Sequence, residues 1–260
     1  MSGSILSGPS NSLDPGFHAA VPLSWSGGNR PTPIVGLIPA LNEGEWIGPL
    51  ITEAAPFVDK LVVCDDGSTD MTGSVAERLG VEVLRHPKRL GYGAALRTLF
   101  RRAIELDASI AITLDADRQH DPRFIPSLAR PILDGRAEVV TGSRFMSYGS
   151  NIPLSRLVGV TLVTKLAELL LRRRLTDAQC GMRAYSNLAL NHVIPEENGM
   201  GASLEILFKA QRSKLRLLEV PTQVHYNGES DSGEHPLLHL AELLSALLRV
   251  SVGGSSKNRI

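Results

Sequence analysis

The chain has 260 residues, 43% of them hydrophobic, enough for one domain with a substantial core. Its 27 Lys and Arg balance 27 Asp and Glu, so no global field draws it to nucleic acid, and any polyanion must be held by local clusters. Cys64 and Cys180 have no CxxC spacing and no companion His pattern, which argues against a zinc site and fits a reducing compartment.

Residues 1–32 are rich in Ser, Gly, Pro and Asn without periodicity and read as a flexible N-terminal leader. No secretory apolar region and no bilayer-length apolar run is present, so the expected location is cytoplasmic, at most peripheral at the cytosolic membrane face. From residue 34 the character changes. Ile34–Ile38 is an apolar strand, followed by a helix over Glu45–Ala55. Lys60–Cys64 is a second strand, ended by Asp65-Asp66-Gly67-Ser68, with a helix over Thr69–Leu79. Val81–Leu84 is a third strand, Gly91–Leu106 a helix and Ile110–Leu114 a fourth strand. Asp121-Pro122 opens another helix with Asp as cap and Pro at the first position. Ala137–Thr141 is a fifth strand. Helices are expected over Leu154–Arg174, Ser203–Gln211 and Pro236–Val250, and a strand over Leu215–Val220 that Thr222–His225 extends.

Strands alternating with helices predict an α/β fold: a mostly parallel sheet with helices on both faces and functional residues at the C-terminal strand ends. Three polar clusters fall there. After the fourth strand come Asp115, Ala116, Asp117 and Gln119. In strand geometry Asp115 and Asp117 point the same way, and Gln119 continues the row if the chain stays extended. Such oxygen ligands suit Mg²⁺ or Mn²⁺ beneath a diphosphate. After the first strand come Pro39, Leu41 and Glu43, with no GxGxxG; Glu43 could take hydrogen bonds from a ribose or base, or serve a helix dipole. After the second strand Asp65 and Asp66 point to opposite faces, so only one can meet a given ligand.

Weaker signals accompany these. Gly91-Tyr92-Gly93 could cradle phosphate, or allow close backbone packing. Arg144, in Gly142-Ser143-Arg144, could fork onto a phosphate or form a surface ion pair. Asp177 could act as a base and Arg183 could hold a phosphate; an internal Asp–Arg pair would explain them equally. Arg172–Arg174 could meet anionic headgroups or simply end a helix. His120 reads as a solvent-facing loop residue.

Taken together, Pro39-Ala40-Leu41-Asn42-Glu43, Asp65-Asp66-Gly67-Ser68-Thr69-Asp70, Gly91-Tyr92-Gly93-Ala94-Ala95, Asp115-Ala116-Asp117-Arg118-Gln119-His120, Gly142-Ser143-Arg144 and Cys180-Gly181-Met182-Arg183 resemble family 2 glycosyltransferases of the GT-A fold. The nearest branch is the dolichyl- or polyprenyl-phosphate mannosyltransferases and glucosyltransferases. The resemblance implies a GT-A domain over 33–233, with an amphipathic helix and tail over 234–260. It implies a GDP- or UDP-linked sugar donor, with Pro39, Leu41, Glu43 and Asp66 around the nucleotide. Asp115, Asp117 and Gln119 would hold the metal, and Arg144 and Arg183 would face phosphates. The family inverts the anomeric centre in one displacement. A lipid-phosphate acceptor is already ionised and needs no base, whereas a hydroxyl acceptor would make Asp177 the candidate base.

One departure concerns the acceptor. The lipid-phosphate branch flanks a Gly-Glu-Ser with Arg and Lys; here Gly228-Glu229-Ser230 is flanked by His225 and Asp231. A glycan or small-molecule hydroxyl is therefore the alternative acceptor. A sugar nucleotidyltransferase would want a Gly-rich basic loop after the first strand, which is missing. The helices over 154–174 and 236–250 could shelter a lipid chain, lie on a membrane, meet a membrane-protein partner or join a homodimer.

Overall fold

The computed structural model describes residues 33–146 and 154–224. The leader, the helix expected over 236–250, and His225, Gly228-Glu229-Ser230 and Asp231 lie outside them. Seven strands form one sheet: β1 (Ile34–Ala40), β2 (Lys60–Asp65), β3 (Glu82–Arg85), β4 (Ile110–Thr113), β5 (Val139–Ser143), β6 (Arg183–Ser186) and β7 (Leu217–Pro221). Their spatial order is β3-β2-β1-β4-β6-β5-β7. The β1–β2, β1–β4, β2–β3 and β5–β7 pairs are parallel. Only β6 runs antiparallel to its neighbours β4 and β5.

All seven residues of β1 are buried, as a central strand covered on both faces requires. The two covers are separate cores. Val35 and Leu37 of β1 and Val62 and Cys64 of β2 pack in one with Leu99 and Phe100 of α3 (Tyr92–Glu105) and Ile206 and Leu207 of α7 (Ala202–Arg212). Ile34 and Ile38 of β1 and Leu61 and Val63 of β2 pack in the other, with Leu50 and Ile51 of α1 (Ile47–Ala54) and Ile125 and Leu128 of α4 (Ile125–Leu133). The period-2 alternation of the strands thus sorts neighbouring residues between two layers. The cysteines belong to these cores. Burial first, then nearby Asp charges, pushes both thiols up to about 12, so both are inert.

The strands and helices expected from the sequence are found within the described residues, with ends moved by a few positions, except that the extension expected over Thr222–His225 is not strand: β7 ends at Pro221 and Val224 makes only an isolated bridge to His120. The helix expected over Thr69–Leu79 begins later, as α2 (Thr72–Arg78), because residues 68–70 are spent on loop hydrogen bonds. The helix expected over Leu154–Arg174 is α5 (Leu154–Leu171). Two elements were not anticipated: β6 and α6 (Asn187–Val193). No helix among the described residues is long and apolar enough to cross a membrane. The strand order reverses between β1 and β4: β2 and β3 lie beyond one, and the rest of the sheet beyond the other. In open α/β sheets such a switch point opens a crevice at the carboxyl strand ends, where ligands bind.

Candidate active site

The loop after β1 is stitched to the loop after β2. Asn42 N–H donates to Ser68 Oγ (2.9 Å), Thr69 N–H to Asn42 Oδ1 (2.9 Å), Glu43 N–H to Thr72 Oγ1 (2.7 Å) and Gly44 N–H to Asp70 Oδ2 (2.9 Å). These bonds explain the Ser68-Thr69-Asp70 run and fix the wall that carries buried Pro39 and half-buried Leu41 and Glu43. The neighbouring acids divide their work as strand parity requires. Asp65 Oδ1 accepts from Ser68 N–H at 2.8 Å, and its other oxygen lies toward Gly73 and Arg85. Asp65, one of the two acids after the second strand that could have met a ligand, therefore builds the turn instead.

Asp66 is 4% exposed. It accepts from the Leu90 and Gly91 amides at 2.9 and 2.8 Å and pairs with His86 Nδ1 at 2.6 Å. It anchors the loop before α3. Gly91 takes φ +109°, closed to most side chains, and a Cβ there would meet the Asn198 carbonyl. That carbonyl also accepts from Gly93 N–H at 2.7 Å. The start of α3 is thus occupied by protein groups, and the phosphate-cradle reading of Gly91-Tyr92-Gly93 gives way to close backbone packing.

The loop after β4 holds the acids of interest. The extended row stops short of Gln119: Ala116-Asp117 form a turn, Asp117 Oδ1 accepts from Gln119 N–H at 3.0 Å, and Arg118 takes φ +57°. Strand parity therefore does not orient Gln119. Asp115 is held from three sides. Tyr92 Oη–H donates to its Oδ1 at 3.2 Å, His120 Nε2 lies 3.3 Å from its Oδ2, and Gly181 packs against the carboxylate so closely that a Cβ would overlap it. Burial opposes the Asp115 charge, but His120, Tyr92 and Arg144 outweigh it and hold the carboxyl below its usual range. Burial and Asp115 push the Tyr92 phenol well above its ordinary value, so it stays a donor.

Glu43 faces the same cluster. Burial first, then the charges of Asp117, Asp70 and Asp115, raises its pKa to about 7. Glu43, Asp70, Asp115 and Asp117 therefore lie close enough for their charges to be felt at Glu43. Among the described residues no three His, Cys, Asp or Glu side chains gather closely enough to hold a metal alone. Two carboxylates fit a Mg²⁺- or Mn²⁺-type cation that takes its remaining ligands from water and substrate phosphates. Asp115 and Asp117 are the residues that would hold it, with the Gln119 N–H already bonded to Asp117.

Two expected phosphate ligands are placed differently. Arg183 is 2% exposed and donates from Nε, Nη1 and Nη2 to the carbonyls of Cys180 (2.8 Å), Ser203 (2.7 Å) and Ala178 (2.8 Å). It is a core cation that ties β6 to its surroundings, and its expected role at a phosphate is corrected. Arg144 grips Asp177 through Nε (2.6 Å) and Nη2 (2.7 Å). Asp177, 1% exposed, also accepts from the Arg144 and Gln179 amides, while Glu219 takes the Thr176 and Asp177 amides. Asp177 is thus paired, but with Arg144 and not with Arg183 of its own loop, and it is not disposed as a base. His120 is likewise corrected: it is 5% exposed, pinned by an antiparallel bridge to Val224. Tyr92, His120, Gly181 and Glu219 are the site residues that the sequence reading missed. Only the first three sit in motifs that drew attention.

Two effects can be measured directly. Gly181→Ala should fold and lose about a hundredfold in turnover, because the new methyl must move the Asp115 carboxylate; unchanged turnover would show that its position does not matter. Glu43 gives a pH effect. Its folded pKa of about 7 lies above the ordinary 4.5. Folding therefore gains nothing below the lower value, and stability falls as pH rises through this window. Glu43→Gln should remove that slope and, without metal, stabilise the protein above neutrality by about 1 kcal/mol, a figure discounted for solvent screening at a half-exposed group. Urea titrations at both ends of the window test it, and parallel curves for the two proteins would refute it.

Comparison with known proteins agrees with this geometry. The model of Glycosyl transferase family 2 matches residues 37–194. The UDP-N-acetylglucosamine–dolichyl-phosphate N-acetylglucosaminyltransferase of Methanococcus voltae is 32% identical over 213 residues, 73% of this chain and 84% of that protein. The undecaprenyl-phosphate mannosyltransferase of Micrococcus luteus is 32% identical over 202 residues, 72% and 82% of the two chains. Among solved structures, glucosyl-3-phosphoglycerate synthase from Mycobacterium tuberculosis with phosphoglyceric acid superposes with a TM-score of 0.67 at 26% identity, covering 85% of this chain and 80% of that one. Its complex with Mn²⁺, UDP and phosphoglyceric acid gives 0.66 at 24% identity, covering 84% and 78%. With its GT-A-type sheet and its acid-bearing crevice at the strand switch point, the chain belongs to glycosyltransferase family 2 and is a glycosyltransferase.

Proposed function

We propose that the protein transfers a sugar from a GDP- or UDP-linked donor to a polyprenyl phosphate, in a metal-dependent, inverting displacement at the cytosolic face of a membrane. The observation that carries the acceptor assignment is Asp177. A hydroxyl acceptor needs a base, yet Asp177 is enclosed and gripped by Arg144 at 2.6 and 2.7 Å. A phosphate acceptor arrives ionised, so orientation and charge suffice. The names of the Methanococcus and Micrococcus relatives, both lipid-phosphate transferases, support the same reading.

On the donor side Pro39, Leu41 and Glu43 line the crevice where the nucleotide would lie, and Asp66 holds the loop beside it. Asp115 and Asp117 would hold the cation beneath the diphosphate. When bound, that cation supplies the charge that makes a nucleoside diphosphate a competent leaving group. Tyr92 and Gly181 keep Asp115 in place, and Arg144, fixed by Asp177, supports the Asp115 charge.

The test is turnover of UDP- and GDP-sugars with a polyprenyl phosphate, with phosphoglyceric acid, and with neither, each with Mg²⁺, Mn²⁺ or chelator. Metal-dependent formation of a glycosyl-phosphoprenol is expected. Transfer to phosphoglyceric acid instead would favour the hydroxyl-acceptor reading that the structural neighbour's ligand suggests. Undiminished transfer in chelator would overturn the metal assignment.

A further inference from the structure

The metal loop contains a buried side chain that neither the donor nor the acceptor reading uses. His120 is 5% exposed, and its Nε2 lies 3.3 Å from Asp115 Oδ2. A carboxylate accepts only, so the Nε2 that faces it carries the proton. Nδ1, the other ring nitrogen, has no partner among the described residues. An imidazole enclosed in this way leaves one polar atom unsatisfied, a cost that a Leu or Phe of similar bulk would avoid. What the imidazole provides, and an apolar ring cannot, is the bond to Asp115.

The placing of that ring is not left to the loop. Residue 118 turns the chain with φ +57°, and the next residue but one pairs with Val224 across an antiparallel bridge. Val224 lies three residues beyond the end of β7, whose last residue, Pro221, pairs with Ser143, next to Arg144. His120 is therefore fastened at its backbone to the far half of the sheet and at its ring to Asp115. Tyr92, from α3, grips the other oxygen of the same carboxylate at 3.2 Å. Two donors from opposite walls fix the plane of Asp115 and leave each oxygen a second lone pair for a cation.

We propose that His120 is a positioning residue for the metal: it orients the Asp115 carboxylate toward the cation, as an outer partner that tunes a ligand it touches. This rests on the reading of Asp115 and Asp117 as metal ligands. Free Mn²⁺ is measured by electron paramagnetic resonance during titration of the full chain, with UDP or GDP present, so the readout is binding and not turnover. His120→Leu keeps the bulk and removes the donor. His120→Gln restores an N–H near the Nε2 position. The Leu variant should bind Mn²⁺ about tenfold or more weakly, and the Gln variant should recover most of the loss. Tyr92→Phe, a milder change at the other oxygen, should weaken binding in the same direction. The proposal is overturned if His120→Leu binds within twofold of the native protein, or if His120→Gln is as weak as His120→Leu, since packing alone would then explain the residue. If the native chain binds no Mn²⁺ with either nucleotide, the metal reading itself fails and takes this role with it; that result is distinguishable from the other two.

Discussion

Asp117→Asn is expected to lower sugar transfer by about a thousandfold while leaving the fold intact. The substitution keeps shape and hydrogen bonding but removes one of the two carboxylate charges that the chain offers a cation. A Lewis acid at a diphosphate contributes several kcal/mol of transition-state stabilisation, and about 4 kcal/mol corresponds to three decades in rate. Asp117 is the better probe of the pair, because Asp115 is also bonded to Tyr92 and His120 and its replacement would disturb both. Losing a charge from the cluster also relieves Glu43, whose pKa should fall from about 7 toward its ordinary value. Initial rates over a range of Mn²⁺ decide the matter. A loss below tenfold at every metal concentration would remove Asp117 from the metal site.

Arg183→Leu is expected to act on stability instead. The side chain donates to the carbonyls of Ala178, Cys180 and Ser203, all in the interior. Leucine leaves these acceptors unpaired, at about 1–3 kcal/mol for each buried group. A net loss of about 3 kcal/mol or more follows, a large part of the 5–15 kcal/mol typical of a domain. Urea unfolding should show it as a lowered midpoint, while nucleotide affinity per folded molecule stays the same. The opposite pattern, full stability with lost nucleotide or acceptor binding, would restore Arg183 to a phosphate site.

These two residues also mark how far the sequence could be read. Asp117 was legible because it follows a β-branched apolar run and precedes an Asp-Pro helix start, and both signals are local. Its geometry was less so: parity put Gln119 in the same row, but the left-handed turn at Arg118 breaks that row. Arg183 was misread because nothing nearby announces that a cation will be buried. Its strand is four residues long, begins with that charge, and runs antiparallel in a sheet whose other pairings are parallel. α6 did carry a clue, since Ser186 caps it by accepting from Ala189 N–H at 3.2 Å, but a seven-residue helix gives little periodicity to detect. His120 is buried by pairing with Val224, a contact far along the chain that no local window contains. β1, β2 and α3 were clear because each is long and apolar enough to show its period.

The placement of β6 between β4 and β5 has a consequence for how the protein is made. β3, β2, β1 and β4 can assemble from one continuous stretch, and with them the nucleotide-side wall of the crevice. β4 obtains its second partner only when β6 arrives; Thr113 at its end waits for the Gly181 carbonyl, 68 residues downstream. As the ribosome releases the chain from its N-terminus, the donor half can therefore form while the Asp115 cradle still lacks Gly181 and Val224. Until those residues emerge, the nascent protein would offer the proposed nucleotide wall while Asp115 still lacks its full set of contacts. Maturation of the active site is thereby tied to synthesis of the C-terminal third of the domain.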